Sequence, residues 1–128
     1  MKVLLDTHTL LWATLAPASL SVKASRTIND QANTILVSAA SAWEIATKVR
    51  IGKLPGAEKF EKEFLEVMEI AGYILLPLDI PTALRAGRLT GDHRDPFDRM
   101  IAAQALAEDI PVLSKDARLD TFNIRRIW

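Results

Sequence analysis

Four apolar runs, each too short to be a helix, are separated along this chain by longer segments of helical period, and that alternation constrains the fold more than any other feature. KVLL (Lys2–Leu5) reads as a buried strand, and TILVS (Thr34–Ser38), YILLPL (Tyr73–Leu78) and PVLS (Pro111–Ser114) read as strands two to four. The spacing predicts helices from Thr7 to Ala16, from about Ser19 to Ala32, from Ser41 to about Ile51 and from Ala57 to Ala71. Two more are predicted from about Pro81 to Leu89 and from Pro96 to about Glu108, with a short edge strand near Ile124–Ile127. Pro17, Gly52 and the Pro55-Gly56 pair fall between the predicted elements, where breakers belong. Strands alternating with helices pair in parallel through right-handed crossovers. The expected fold is therefore α/β: a three-layer α/β/α sandwich around a mostly parallel sheet of four to five strands, with residues 1–128 as a single domain.

Composition narrows the function classes. With 49% hydrophobic residues the chain can bury a core, and 16 basic against 16 acidic residues give no global electrostatic case for nucleic acid or an anionic membrane. Any basic footprint must be local. The absence of cysteine removes disulfides, thiolate nucleophiles and cysteine-based zinc sites. The N-terminal apolar run reaches Asp6 after three apolar residues, and no stretch approaches the length of a membrane span, so a cytoplasmic protein without membrane association is expected.

Acidic residues cluster at the predicted strand ends. Asp6 follows the first strand directly, Asp79 the third, and Asp116 comes two residues after the fourth, while Glu44 lies in the first turn of the helix after the second. In open parallel sheets the ligand crevice lies at the carboxyl ends of the strands. Each residue also has a plain structural reading. Ser41-Ala-Trp-Glu44 matches a capping box, Asp95-Pro96 is an N-cap with proline at the first helical position, and Asp6 and Asp116 are candidate caps. Asp98 is the sharpest case, because Ile101, Ala102 and Ala105 place it on the apolar stripe of its helix, and a buried carboxylate needs a partner. Glu44 falls roughly opposite the stripe Ala42, Ile45, Ala46 and Val49, so its case rests on strand-end topology. Carboxylates gathered together repel unless a cation compensates, and oxygen ligands without cysteine favour Mg²⁺ or Mn²⁺. Two such ions about 4 Å apart can activate water and stabilise both oxygens of a phosphodiester displacement.

Phosphate-binding glycine loops and a serine nucleophile elbow are absent. His8 reads as a hydrogen-bonded structural residue, whereas His93, in the loop before Asp95, suits a phosphate contact equally well. Arg85, Arg88, Arg94, Arg99, Lys115 and Arg118 surround the proposed site, though Glu44 and Lys48 form a helical i,i+4 pair and Arg99 can simply balance Asp95. Trp12, Trp43 and Trp128 read as core or interface. Two other classes stay open on these residues alone. One is an aspartate-based phosphotransfer enzyme, for which Asp6-Thr7-His8-Thr9 supplies a single acid. The other is a non-catalytic binding module whose carboxylates are caps.

The segments LLDTHTLLW, SAASAWEIATKVRIGKL, HRDPFDRMIAAQA and LSKDARLD, in this order, resemble the PIN-domain nucleases, and among them the VapC-type toxins of bacterial type II toxin-antitoxin systems. The resemblance covers essentially the whole chain. It implies an acidic quartet at Asp6, Glu44, Asp98 and Asp116 that holds one or two Mg²⁺ or Mn²⁺ ions. It also implies endoribonuclease activity leaving a 5′-phosphate and a 3′-hydroxyl, a cognate antitoxin partner and a homodimer. Asp95 is a second carboxylate in the same motif, and the buried-face argument favours Asp98 over it. Thr7, His93, Arg99 and Lys115 are the candidates for contacting the RNA substrate. Asp79 matches no position of the pattern.

Overall fold

Each of the four apolar runs contributes a strand, the first two over their full length and the last two over part of it. The computed structural model describes residues 1–128. Strands β1 (Lys2–Leu5), β2 (Thr34–Ser38), β3 (Ile74–Leu76), β4 (Val112–Leu113) and β5 (Arg126–Ile127) form one sheet in the order β3-β2-β1-β4-β5, and all four pairings are parallel. The central strand β1 is buried completely from Val3 to Leu5. Leu4 lies opposite Leu36 and Val112, and Leu5 opposite Val37 and Leu113.

Because successive strand residues point to opposite faces, such a run serves two cores at once. Val3, Leu5, Ile35, Val37 and Leu113 pack on one face with Leu10, Leu11, Ala24, Ile45, Phe60 and Met68. Leu4, Leu36 and Val112 pack on the other with Ile101, Ala102, Ala105, Leu119 and Phe122. The helices supplying these layers are α1 (Thr7–Leu15), α2 (Val22–Asn29), α3 (Ala39–Arg50), α4 (Glu58–Lys62), α5 (Phe64–Ala71), α6 (Ile80–Arg88) and α7 (Pro96–Glu108). The result is the expected α/β sandwich, with five strands. No helix is long and apolar enough to cross a membrane.

Local chemistry moves several boundaries. Pro17–Ser19 form a 3-10 turn and the Ser21 side chain accepts from the Ala24 amide, so α2 starts at Val22 rather than Ser19. The segment expected as one helix from Ala57 to Ala71 breaks at Glu63 (φ −100°, ψ 17°), while Phe60 and Met68 on either side of the break both reach the same core. Gly72, at φ 73°, closes α5 in a left-handed conformation that glycine adopts without a Cβ penalty. Pro77, which has no N–H to donate, follows directly where β3 ends at Leu76. Helix α3 begins two residues early, at Ala39. Ser38 is its cap, accepting from the Ala40 amide, so the capping box expected at Ser41 and Glu44 does not form.

Candidate active site

The ends of β1 and β4 lie side by side, and a serine neither acidic motif singled out joins them. Asp6 leaves β1 in an extended conformation and caps α1, its Oδ1 accepting from the Thr9 amide at 2.8 Å. Its Oδ2 accepts from the hydroxyl of Ser114, which follows β4 and is fully buried. The same Ser114 oxygen accepts the Asp116 amide at 3.0 Å. Thr9 adds a second stitch, its hydroxyl donating to the Leu113 carbonyl at 2.9 Å. Asp6 and the Asp116 backbone are thus held in register by one hydroxyl.

Helix α7 brings in the third carboxylate. Asp95 uses one oxygen to cap it, accepting from the amides of Phe97 and Asp98, so Asp95 starts the helix and Asp98 projects from its first turn. Asp98 Oδ2 lies 2.7 Å from His93 Nε2, and the ligand atoms of His93, Asp98 and Asp116 all fall within 4.8 Å of one another. Two carboxylates and an imidazole at this spacing fit a divalent cation of the Mg²⁺ or Mn²⁺ type, the oxygens suiting both and the imidazole favouring the softer ion.

The two cluster carboxylates are tuned in opposite directions. Burial pushes Asp98 up to about 6; the nearby charges of Asp95 and Asp6 add to the rise, against the His93 hydrogen bond. Asp116 is held below the usual carboxylate range, chiefly by its hydrogen bonds from Arg118, whose guanidinium lies 2.7 Å away. Repulsion therefore contributes to the Asp98 shift as expected, but desolvation is the larger cause.

Glu44 stands apart from this trio. It is buried, with only 3% of its surface exposed, because the inward face of α3 runs through Ala40, Ser41, Glu44 and Ile45 rather than through the stripe expected from Ala42 and Val49. Lys48 Nζ meets its Oε2 at 2.5 Å. Thr7 is buried too, and its hydroxyl donates to Ser41 Oγ at 3.0 Å, bracing α1 against α3.

Arg99 takes a different place from the one its charge suggests. Its Nε donates to the Ala86 carbonyl and its Nη1 to the His93 carbonyl, both at 3.0 Å, and Nη2 donates to Leu89. The guanidinium also lies 5.4 Å from the Phe122 ring centre. Its donors are turned to backbone carbonyls that fix the loop carrying His93, and it forms no ion pair with Asp95. Lys115 is exposed beside Asp6 and Asp116. His8 is exposed and makes no hydrogen bond, its ring instead lying 5.8 Å from that of Trp12. Trp43, expected in a core or interface, is 59% exposed and meets Phe97 edge-on.

Two cavities flank the cluster. One of about 550 Å³ is lined by Asp92, His93, Arg94, Asp95, Arg118 and Thr121, and the other, of about 280 Å³, by Asp6, His8, Trp12, Lys115 and Asp116. Sequence reasoning missed Ser114 and read Ser41 as a helix cap rather than as the partner of Thr7. The signal for Ser114 was its position between β4 and Asp116 in LSKD, where a small hydroxyl can reach a neighbouring strand end.

The model of the PIN domain matches residues 3–124. The chain belongs to the PIN domain family. Members of that family are generally nucleases, which accords with carboxylates gathered at the strand ends. A search of the curated proteins returns no match. Among solved structures, the chain is similar to VapBC2 from Rickettsia felis bound to a DNA fragment from their promoter, at 16% identity and a TM-score of 0.74, covering 99% of this chain and 98% of that one. VapBC-1 from nontypeable Haemophilus influenzae is similar at 13% identity and a TM-score of 0.65, covering 99% and 97%. FitAcB from Neisseria gonorrhoeae is similar at 20% identity and a TM-score of 0.59, covering 98% and 96%. At these identities the likeness establishes the PIN fold.

Proposed function

We propose that this PIN domain is a cytoplasmic, Mg²⁺- or Mn²⁺-dependent endoribonuclease, the toxin of a type II toxin-antitoxin pair, hydrolysing RNA phosphodiesters to 5′-phosphate and 3′-hydroxyl ends. The observation that carries the reading is the meeting of His93, Asp98 and Asp116 within 4.8 Å at the strand ends, with Asp6 tied to the same place through Ser114. Asp98 and Asp116 hold the cation, Asp6 completes the acidic wall, and Glu44 serves the same centre from α3. When bound, the ion supplies Lewis acidity toward phosphate and water.

The chain's own groups set up that chemistry. Asp95 fixes the start of α7 and so the direction of Asp98. His93 Nε2 holds Asp98 Oδ2 in one orientation, and Arg99 acts on substrate only through the loop it clamps. Thr7 works in the same indirect way, by bracing α1 against α3. Arg94, Lys115 and Arg118 supply positive charge for phosphates on the two sides of the centre.

A cognate antitoxin and a second copy of the chain are the proposed protein partners. The similar structures named above are of VapBC and FitAcB assemblies, and Leu65, Ile70, Ile74 and Leu75 expose apolar surface suited to such contacts. The test is cleavage of a mixed panel of structured RNAs by antitoxin-free protein with Mg²⁺, Mn²⁺ or chelator, with product ends analysed. Metal-dependent cleavage that Asp6→Asn abolishes is expected. Cleavage that survives in chelator, or equally in Asp6→Asn, would contradict the reading.

A further inference from the structure

We propose that the cavity lined by Asp6, His8, Trp12, Lys115 and Asp116 is a nucleobase subsite, in which one unpaired base flanking the scissile phosphate stacks on the exposed His8 ring, with Trp12 inclined at 51° beside it. The inference rests on the nuclease reading and names the form of substrate the centre takes. The cavity shares Asp6 and Asp116 with the acidic cluster, so whatever fills it lies next to the reacting phosphate. At about 280 Å³ it has room for a single base.

Its walls select a base over a phosphate. A phosphate group there would face two carboxylates against the single ammonium of Lys115, whereas the flat face of an uncharged base meets the His8 ring. His8 is exposed at the start of α1 and lies 5.8 Å from Trp12. Trp12 is backed in turn by Trp128 at 5.7 Å, and Trp128 packs on the hydrophobic core. The platform is therefore held from behind while its outer ring stays open. Lys115 has no carboxylate partner and is left for the phosphate that adjoins the stacked base. Across the cluster, the second cavity sets Arg94 and Arg118 beside Asp92 and Asp95. A base can reach the rings only when it is unstacked from its neighbours, so loops and single strands are the substrates that fit.

The test starts from an RNA that the wild-type protein cuts, remade with an abasic nucleotide at each position flanking the cut. Removal of one flanking base should lower kcat/KM about five- to 150-fold, the range that loss of one stacked base produces. His8→Ala should lower cleavage of the intact RNA, with a rise in KM, and have no further effect on the abasic RNA. Abasic and intact RNAs cut within about twofold of each other, or an equal His8→Ala penalty on both, would overturn the subsite and leave the nuclease reading standing. A second arm does not depend on cleavage. Tryptophan fluorescence of Asp98→Asn protein should be quenched by a short single-stranded RNA of mixed sequence and not by its duplex, with less quenching in Asp98→Asn/His8→Ala. If wild type cuts no RNA at all, the nuclease reading fails and this arm decides the subsite alone, equal quenching by single strand and duplex, or none, counting against it.

Discussion

Two regions of the molecule bury carboxylates at strand ends and treat them differently. Beyond β2, Glu44 is buried on α3 and its charge is matched by Lys48 one helical turn away. Beyond β1 and β4, Asp6, Asp98 and Asp116 face one another, and the helper groups are a serine, a histidine and the largely exposed Arg118. In that second region Asp98 is driven up to about 6, chiefly by burial. Burial alone does not distinguish the two regions, since Glu44 is a more buried side chain than Asp98. What distinguishes the β1/β4 end is a deficit of positive charge around Asp98, which a divalent cation would fill.

The largest break in this comparison should come from Asp98→Asn. Cleavage should fall by at least about 100-fold, more than loss of a supporting residue around a metal costs, as measured in single-turnover assays. In chelator the same variant should be more stable than wild type by about 1 to 2 kcal/mol, a figure discounted for the solvent that still reaches the side chain. Next in size is Ser114→Ala. It leaves Asp6 Oδ2 without its donor, and should cost about 1 to 3 kcal/mol in denaturant melts and about 10- to 100-fold in activity.

Glu44→Gln sharpens the contrast from the other side. With Lys48 already beside Glu44, the loss of cleavage should be smaller than for Asp98→Asn, about tenfold, when the two variants are assayed together. The smallest effect is that of pH on the metal-free protein. Asp98 binds its proton more tightly when folded, at about 6 against an ordinary 3.8, so stability should rise as pH falls from 7 toward 4 and be lost again as pH climbs through 6. Asp116, held low by Arg118, acts in the opposite sense and only below about 3.8. Urea melts across this range separate the two windows, and saturating Mn²⁺ should reverse the upper one because protons then compete with the ion.

Much of this was legible in the sequence because it depends on short-range pattern. The runs KVLL and TILVS, which feed both cores, were readable as strands and Asp6 as the acid at the end of the first, whereas YILLPL forms an edge strand with Ile74 and Leu75 exposed and Asp79 only caps α6. Asp98 was readable from its position on an apolar stripe. Glu44 was placed on the wrong side of its helix, because the stripe Ala42, Ile45, Ala46 and Val49 shares only Ile45 with the inward face, which is completed by Ala40 and Ser41. Arg99 was unreadable as a loop clamp, since its partners are carbonyls of Ala86, Leu89 and His93, and backbone acceptors carry no residue signature. The role of Ser114 likewise depends on two strands meeting across more than a hundred residues of chain.

The most direct measurement is calorimetric titration of Mn²⁺ into chelator-stripped wild-type protein and into Asp98→Asn, with melting temperatures read on the same samples. Saturable binding by wild type with a raised melting temperature, both absent in Asp98→Asn, is the expected result. Equal binding by the two proteins, or none by wild type, would contradict a metal centre built on the β1/β4 end.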